Sequence, residues 1–394
     1  MAKRRKYDLV LLGATGFTGQ LTAEYLAAHG GADLKWALAG RSPDKLKLVR
    51  ARLADGQPHT QSLDLLQVDV DDAASLEKMA GSARVVVTTV GPYLVHGEPV
   101  VAACAAAGTD YVDLTGEPEF VDAMWLRHHD RARDSGARIV HCCGFDSIPH
   151  DLGCWFTVQQ LPADVPLRIQ GFVRAGGQFS GGTLHSAVLA MSRFGESAKL
   201  RRERRQREGR PVDRRIGALH HGLRYVQALD SWALPLPTID PQIVRRSAAA
   251  LDRYGPDFRY GHYVQLKKLR SVVQLTGGVA AVAAAAQFKP TRERLLKIRG
   301  SGDGPSAERR AKSWFKINFL GEGGGRAVRC EVSGGDPGYT ETAKMLAESA
   351  LSLAFDKLPH TSGCVTPVQA MGDALLTRLQ ARGIRFRVVE GGAA

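Results

Sequence analysis

The sequence predicts a two-domain α/β protein whose first domain is built on a doubly wound parallel sheet. Three observations carry that reading. An apolar run from Tyr7 to Leu12 stops at Gly13 and restarts as a helical pattern from Leu21 to Ala28. Glycines stand at 13, 16 and 19 between them. The same alternation of strand and helix then repeats through six strands, as far as Cys142. A short apolar run bounded by glycine and followed by 3.6-residue periodicity marks a strand buried on both faces, and its regular repetition marks a parallel sheet.

Taken in order, each element has a local cause. After the first strand, Gly13 permits a tight turn, Gly16 lets backbone N–H groups approach a pyrophosphate, and Gly19 lets the helix pack close to the strand. Gly13, Ala14, Thr15, Gly16, Phe17, Thr18 and Gly19 are therefore the predicted phosphate cradle of a dinucleotide, with GxxGxxG spacing rather than GxGxxG. His29-Gly30-Gly31 closes the helix, and Leu34 to Ala39 is the second strand. An NAD-selective site places an acidic residue at the end of that strand, on the ribose 2′-OH. Here Arg41 and Ser42 stand instead. A guanidinium and a hydroxyl suit a 2′-phosphate, so NADP is predicted over NAD, with Lys45 a weaker phosphate ligand.

Leu65 to Val70 reads as the third strand, with Asp69 within reach of the adenine amino group or capping the next turn. Val85 to Val90 is a β-branched fourth strand that ends in Gly91-Pro92-Tyr93. Ligands of open α/β sheets bind beyond the carboxyl ends of the strands, which places Val90, Gly91, Pro92 and Tyr93 beside the pyrophosphate and nicotinamide. Pro99 to Ala107 is a helix, Tyr111 to Leu114 the fifth strand, Pro118 to Ser135 a helix, and Arg138 to Cys142 the sixth strand. The whole is a Rossmann domain over residues 1–147.

Composition bounds what remains. With 394 residues the chain is long enough for two cores. Its six cysteines are scattered, with no CxxC pair and no metal-ligand spacing, which points to reduced thiols in the cytoplasm and to no metal site. Cys142-Cys143 reads as strand packing. Met1 to Lys6 is basic, but Asp8 and the glycine motif stand where a signal peptide would be apolar, so no export is expected. The formal charge of +13 is concentrated: residues 193–215 hold ten Lys/Arg against four Asp/Glu, and residues 289–316 nine against three. Two surfaces, not the fold, are basic.

A second domain of mixed α+β character is expected over residues 148–335, entered through a helix that starts after Asp146-Ser147. Leu167 to Val173 alternates like a strand, Thr183 to Phe194 like a helix, and Phe315 to Leu320 pairs with Ala327 to Val332 as a hairpin. The run Arg201 to Arg210 is a solvated helix face, or a surface for an acidic protein or an anionic membrane. Nucleic acid is not expected, because no aromatics interleave with the cations. Leu275 to Phe288 is the most apolar stretch, bracketed by basic residues; it is a buried small-residue helix or an interfacial segment touching lipid. Helices Thr340 to Leu353 and Val368 to Ala381 lie in a third portion, residues 336–394.

The motifs recur in a fixed order: Gly-Ala-Thr-Gly-Phe-Thr-Gly at 13–19, Ala-Gly-Arg-Ser at 39–42, Thr-Val-Gly-Pro-Tyr at 89–93, Tyr-Val-Asp-Leu-Thr-Gly-Glu at 111–117 and Cys-Gly-Phe-Asp-Ser-Ile-Pro at 143–149. Ser-Gly-Gly-Thr-Leu at 180–184 and Gly-Asp-Pro-Gly-Tyr-Thr-Glu-Thr-Ala at 335–343 follow. The set resembles the saccharopine dehydrogenase-like oxidoreductases, in particular the branch of actinobacterial trans-acting enoyl reductases. The resemblance implies an NADPH-dependent reductase of a double bond in a polyketide or fatty-acyl chain during (glyco)lipid assembly, acting on a small-molecule or carrier-linked substrate. It also implies that the C-terminal helices pack back on the Rossmann domain, and it makes Thr183 and His185 candidates for the substrate side, with Thr183 alternatively a plain helix N-cap. The alternatives are a saccharopine-type amino-acid dehydrogenase and a non-catalytic NADP-binding scaffold for a membrane or partner.

Reduction needs a hydride from the cofactor and a proton from elsewhere. Tyr93, after the fourth strand, is the first candidate for the proton, with His96 next; Asp146, Asp113 and His150 follow, each equally open to a structural part, with Asp146 a cap and Tyr93 a packed aromatic, and water can also serve. The expected location is cytoplasmic, with peripheral attachment to the inner face of the plasma membrane.

Overall fold

A computed structural model describes residues 5–176, 193–209, 211–297 and 304–393. The chain divides into two compact units, one joining Met1–Phe145 and Gly302–Gly304 to Gly338–Arg378, the other made of Asp146–Ser301, Pro305–Pro337 and Leu379–Ala394.

In the first unit the chain alternates as β1 (Tyr7–Leu12), α1 (Phe17–His29), β2 (Trp36–Gly40), α2 (Pro43–Gly56), β3 (Asp64–Gln67), α3 (Ala73–Ser82), β4 (Ala83–Thr88), α4 (Tyr93–Ala107), β5 (Asp110–Val112), α5 (Pro118–Ser135) and β6 (Arg138–Val140). These strands lie in the order β6-β5-β4-β1-β2-β3, every pair parallel. Strands covered on both faces need no polar alternation. Leu9, Leu11, Val85 and Val87 accordingly have no accessible surface.

The second unit begins with α6 (Ile148–Gln159) and β7 (Leu167–Gly176), followed by α7 (Phe194–Glu208), β8 (Arg215–Ala218), β9 (Arg224–Val226), β10 (Ser231–Pro235), α8 (Asp240–Ala250) and β11 (Asp257–Leu266). Then come α9 (Leu269–Gln287), α10 (Lys289–Lys297), α11 (Ala307–Ala311) and the hairpin β12 (Trp314–Gly323) with β13 (Arg326–Gly334). The chain returns to the first unit as α12 (Thr340–Phe355) and β14 (Gly363–Val365), crosses α13 (Pro367–Ala381), which is broken at Gly372, and ends in β15 (Arg385–Ala393). β14 adds to β6 in parallel. β15 pairs with β13, at the edge of an eight-stranded mixed sheet ordered β15-β13-β12-β7-β11-β10-β9, with β8 also on β11. Phe172, Val226, Leu229, Ala233 and Tyr263 form one core of this sheet. Elsewhere α6 lies close on β12 at Gly153, where an added Cβ would sit 2.4 Å from the Phe319 ring.

Several expectations change. The helix expected to start at Pro99 starts at Tyr93, with Pro92 as its N-cap and Pro99 inside it. The third portion does not return whole to the Rossmann unit: Gly338–Arg378 groups with it, while β15 finds its hydrogen-bond partner in β13. Cys142 and Cys143 lie just beyond β6, and Cys142 takes a left-handed φ of 64°. The apolar helix is not buried. Of α9, only Val272 and Ala286 are buried, while Val273 is 67% exposed. The arginine run is not wholly solvated either, since Arg204 is buried and paired with Glu208, which also accepts from Arg246 at 2.9 Å. The expected helix 183–194 lies outside the described residues over 183–192.

Within the first unit, α12 is held by charge as well as by apolar contact. Its Glu348 side chain is buried, accepts from Tyr25 Oη at 2.7 Å and from Arg378 at 3.1 Å, and Arg378 also grips Asp356 with two bonds of 2.6 and 2.8 Å. Removing one partner of a buried charge leaves the other poorly solvated. Arg378→Ala is therefore expected to lower unfolding stability by about 3 kcal/mol in urea titrations, with Arg378→Lys losing less because a cation remains.

Candidate functional site

The site grows from the turn between β1 and α1. Gly13 has a φ of +89°, and a Cβ there would meet Thr89 Oγ1 at 2.7 Å and Val90 Cγ2 at 2.9 Å. At Gly19 a Cβ would lie 2.0 Å from the carbonyl oxygen of Gly13, so no other residue lets α1 pack so closely. Strand β4 closes the other side: Thr89 donates its backbone N–H to Leu12 O at 3.0 Å and its hydroxyl to Gly13 O at 3.1 Å. Phe17 packs edge-on to Tyr339, ring centroids 5.0 Å apart. Phe145 N–H donates to Thr342 Oγ1 at 3.1 Å. The late Gly-Asp-Pro-Gly-Tyr-Thr-Glu-Thr-Ala motif thus supports both the cradle and the exit from β6.

Not every cradle residue offers a donor. Gly13 and Ala14 turn their N–H groups onto Ala39 O, and Gly16 donates to Gly13 O at 3.0 Å. Gly16 itself is exposed and without a Cβ, which leaves its neighbours' N–H groups open to a pyrophosphate. Thr15 and Thr18 remain as backbone donors, at a helix N-terminus that no side chain caps among the described residues. A diphosphate fits there, since the positive end of the helix has no anion of its own.

At the end of β2, Arg41 is exposed and Ser42 is the N-cap of α2, its oxygen accepting from Lys45 N–H at 3.4 Å. Asp44 follows in the first turn of α2, bound to Lys47 at 3.0 Å. Strand β3 stops at Gln67, so Asp69 sits in the following turn rather than at a strand end. Its Oδ1 accepts from Asp71 N–H at 3.2 Å and its backbone is tied to Ser75, the capping part weighed for it.

Tyr93 is in a different setting from the one its sequence position suggested. Its side chain is buried in the first turn of α4; the hydroxyl donates to Thr88 O at 3.1 Å and accepts from Leu114 N–H at 3.4 Å. Burial, and then the charge of Asp113, push its ionisation well above the ordinary tyrosine value. This hydroxyl fastens the end of β4 to the segment after β5 and is not placed as a proton donor. Pro92 caps α4, Val90 N–H bonds Thr88 Oγ1 at 3.2 Å, Gly91 is exposed and His96 is half-buried on α4.

Two buried carboxylates of the 111–117 motif shape this region in a way that the motif itself does not announce. Glu117 accepts from the N–H groups of Tyr93 at 3.2 Å and Leu94 at 2.8 Å, so the N-terminus of α4 already faces an anion of the protein. Asp113 accepts from Tyr111 Oη at 2.9 Å, Thr115 N–H at 3.1 Å and Cys142 N–H at 2.9 Å, and lies 2.6 Å from His141 Nδ1. Asp113 is a structural hub and leaves the list of acids for catalysis. Partners 23 to 29 residues apart leave no local pattern to read.

Asp146 opens the second unit. Burial, reinforced by Asp240 and opposed by His150, pushes its carboxyl up to about 6. His150, on α6, lies 2.9 Å from Asp240 Oδ1. Asp240 and His262, which meet there, were not anticipated. Thr183 and His185 lie outside the described residues.

If Tyr93 only fastens strand ends, Tyr93→Phe should lower stability by about 1 kcal/mol, the worth of a neutral hydrogen bond, and leave nicotinamide-cofactor affinity unchanged. Thermal unfolding and fluorescence titration of the variant check both halves.

Comparison with known proteins agrees with this geometry. Residues 9–140 match the family of saccharopine dehydrogenase NADP binding domains. A Mycobacterium tuberculosis protein, provisionally titled a trans-acting enoyl reductase, is 40% identical over 98% of each chain. The trans-acting enoyl reductase of Mycobacterium leprae is 35% identical over 97% of each chain. Among solved structures, apo saccharopine dehydrogenase (L-Glu forming) of Saccharomyces cerevisiae shares the fold, with a TM-score of 0.55 at 12% identity over 98% of this chain and 100% of that one. The chain belongs to the trans-acting enoyl reductase family, a group of oxidoreductases built on a saccharopine dehydrogenase-type NADP-binding domain.

Proposed function

We propose that the protein uses NADPH, in preference to NADH, to reduce a carbon–carbon double bond in a long polyketide or fatty-acyl chain destined for a (glyco)lipid. The observation that carries the cofactor half is the α1 N-terminus without a side-chain cap, with exposed Arg41 where an NAD enzyme has an acid. NADPH bound there supplies the hydride. Thr15 and Thr18 would hold the diphosphate, and Arg41 with the Ser42 hydroxyl the 2′-phosphate, to which Arg offers a planar fork of donors. Gly91, exposed at the end of β4, leaves room for the nicotinamide end. Because the Tyr93 hydroxyl is bonded on both sides, the proton is assigned to water, with His96 and Asp146 as the side-chain alternatives. The acyl half rests on the relatives' titles.

The exposed α9 supports a lipid setting. By length and composition it could cross a membrane, and it is bracketed by Lys267, Lys268 and Arg270 before and Lys289, Arg292 and Arg294 after. An apolar helix with cationic ends lies flat on an anionic surface, its cations near headgroups and its apolar face among acyl chains. Peripheral attachment at the cytoplasmic face, where a long acyl substrate is found, follows from this reading. The basic face of α7 is the surface offered to an acidic carrier protein.

Fluorescence titration should show NADPH binding at least ten-fold tighter than NADH, and Arg41→Ala should remove most of that difference. Consumption of NADPH with enoyl thioesters, absent with saccharopine, then tests the acyl assignment against the amino-acid alternative. In a separate measurement, the protein should sediment with anionic but not zwitterionic liposomes at low salt, and Val273→Glu with Val279→Glu should release it.

A further inference from the structure

Three side chains from distant parts of the chain meet in the interior of the second unit. His150 comes from the first turn of α6, Asp240 is the first residue of α8, and His262 lies in β11. Their accessibilities are 2%, 3% and 6%. His150 Nδ1 is 2.9 Å from Asp240 Oδ1, His262 Nε2 is 3.6 Å from Asp240 Oδ2, and the three donor atoms all lie within 4.8 Å of one another. The imidazoles stand edge to face, centroids 5.0 Å apart.

We infer that His150, Asp240 and His262 form a binding site for a divalent transition-metal ion of the zinc class, a site distinct from the nucleotide cradle. Ligands about 2.0–2.1 Å from a tetrahedral ion stand roughly 3.3 Å from one another. The imidazoles stand 2.9 and 3.6 Å from the two Asp240 oxygens, on either side of that value, and with all three donors within 4.8 Å of one another a small closure of the set would seat an ion. A buried pair of imidazoles and one carboxylate is a donor set suited to Zn²⁺, which calcium or magnesium, with their preference for oxygen, would not share.

The surroundings orient the donors as a metal site requires. Tyr260 and His262 are two apart on one face of β11, and Tyr260 Oη lies 3.2 Å from His262 Nδ1. An Nδ1–H bonded to that oxygen leaves the Nε2 lone pair aimed at the Asp240 side. Thr238 donates its hydroxyl to Asp240 Oδ2, fixing the carboxylate plane. His262 Nε2, buried, has no hydrogen-bond partner among the described residues, and 3.6 Å is too long for a bond to Asp240. An unsatisfied ring nitrogen in a closed interior is costly, and coordination removes that cost. An ion here would pin α6, α8 and β11 together.

The test uses tag-free, full-length protein. After stripping with a chelator, equilibrium dialysis against ZnCl₂ should give about one Zn²⁺ per chain, and Co²⁺ in its place should give the visible absorption of a four-coordinate site with nitrogen and oxygen ligands. Zn²⁺ should also raise the melting temperature of the stripped protein. His262→Gln should reduce uptake at least ten-fold, while His59→Gln, away from the cluster, should take up one ion as before. No uptake by the stripped wild type would overturn the inference and make the cluster a buried ion pair. So would His262→Gln retaining a full equivalent. Because the wild-type readouts need no mutant, a variant that fails to fold leaves the test intact.

Discussion

A carboxylate withdrawn from water must be met by donors, and the carboxyl end of the parallel sheet is arranged around that requirement. Asp113 and Glu117 are both buried there, and they draw in the N–H groups of Tyr93, Leu94, Thr115 and Cys142. The turns that follow β4, β5 and β6 are fixed as a result. One helix start in this region is thereby neutralised by the protein itself, that of α4. The start of α1 is different: it has neither a side-chain cap nor an acidic residue in its first turn. Among the described helices of the first unit, the start of α1 is thus the end prepared for a cofactor diphosphate.

How much of this could be read from the sequence depends on the range over which each feature acts. The cradle was legible because Gly13 and Gly19 answer steric demands that act within a few residues, a positive φ and a close backbone approach. Strands β1 and β4 were legible because burial on both faces leaves unbroken apolar runs. Strands β8, β9, β11 and β15 were not, since they mix arginine, histidine or glycine with apolar residues, and β10 is a five-residue stretch that ends in proline. For Tyr93 the sequence left a proton-donating and a packing role both open, and it could not choose between them because the backbone atoms that bond its hydroxyl follow two different strands. The cluster of His150, Asp240 and His262 draws on three elements, and no spacing rule reaches across them.

Helix α9 shows a different limit. Its alanines and valines gave the same pattern whether the helix was to be enclosed or exposed, and composition favoured enclosure. The exposed placement changes the meaning of the flanking lysines and arginines, from solubilising ends of a core helix to a matched set of charges around an apolar face.

The chain order of the first unit has a consequence for how the protein is made. Its sheet is not complete when β6 has been synthesised, since α12, which packs beside α1, and β14, which extends the sheet past β6, come only after Thr340. The nucleotide cradle at the N-terminus leaves the ribosome early, yet Tyr339, which packs on Phe17, is among the late residues to emerge. Synthesis therefore passes through a period in which the apolar bed of α12 is uncovered while most of the second unit, all but Leu379–Ala394, is being added. A nascent chain of this architecture holds its first 145 residues as an unfinished unit until residues 340–365 arrive to complete it.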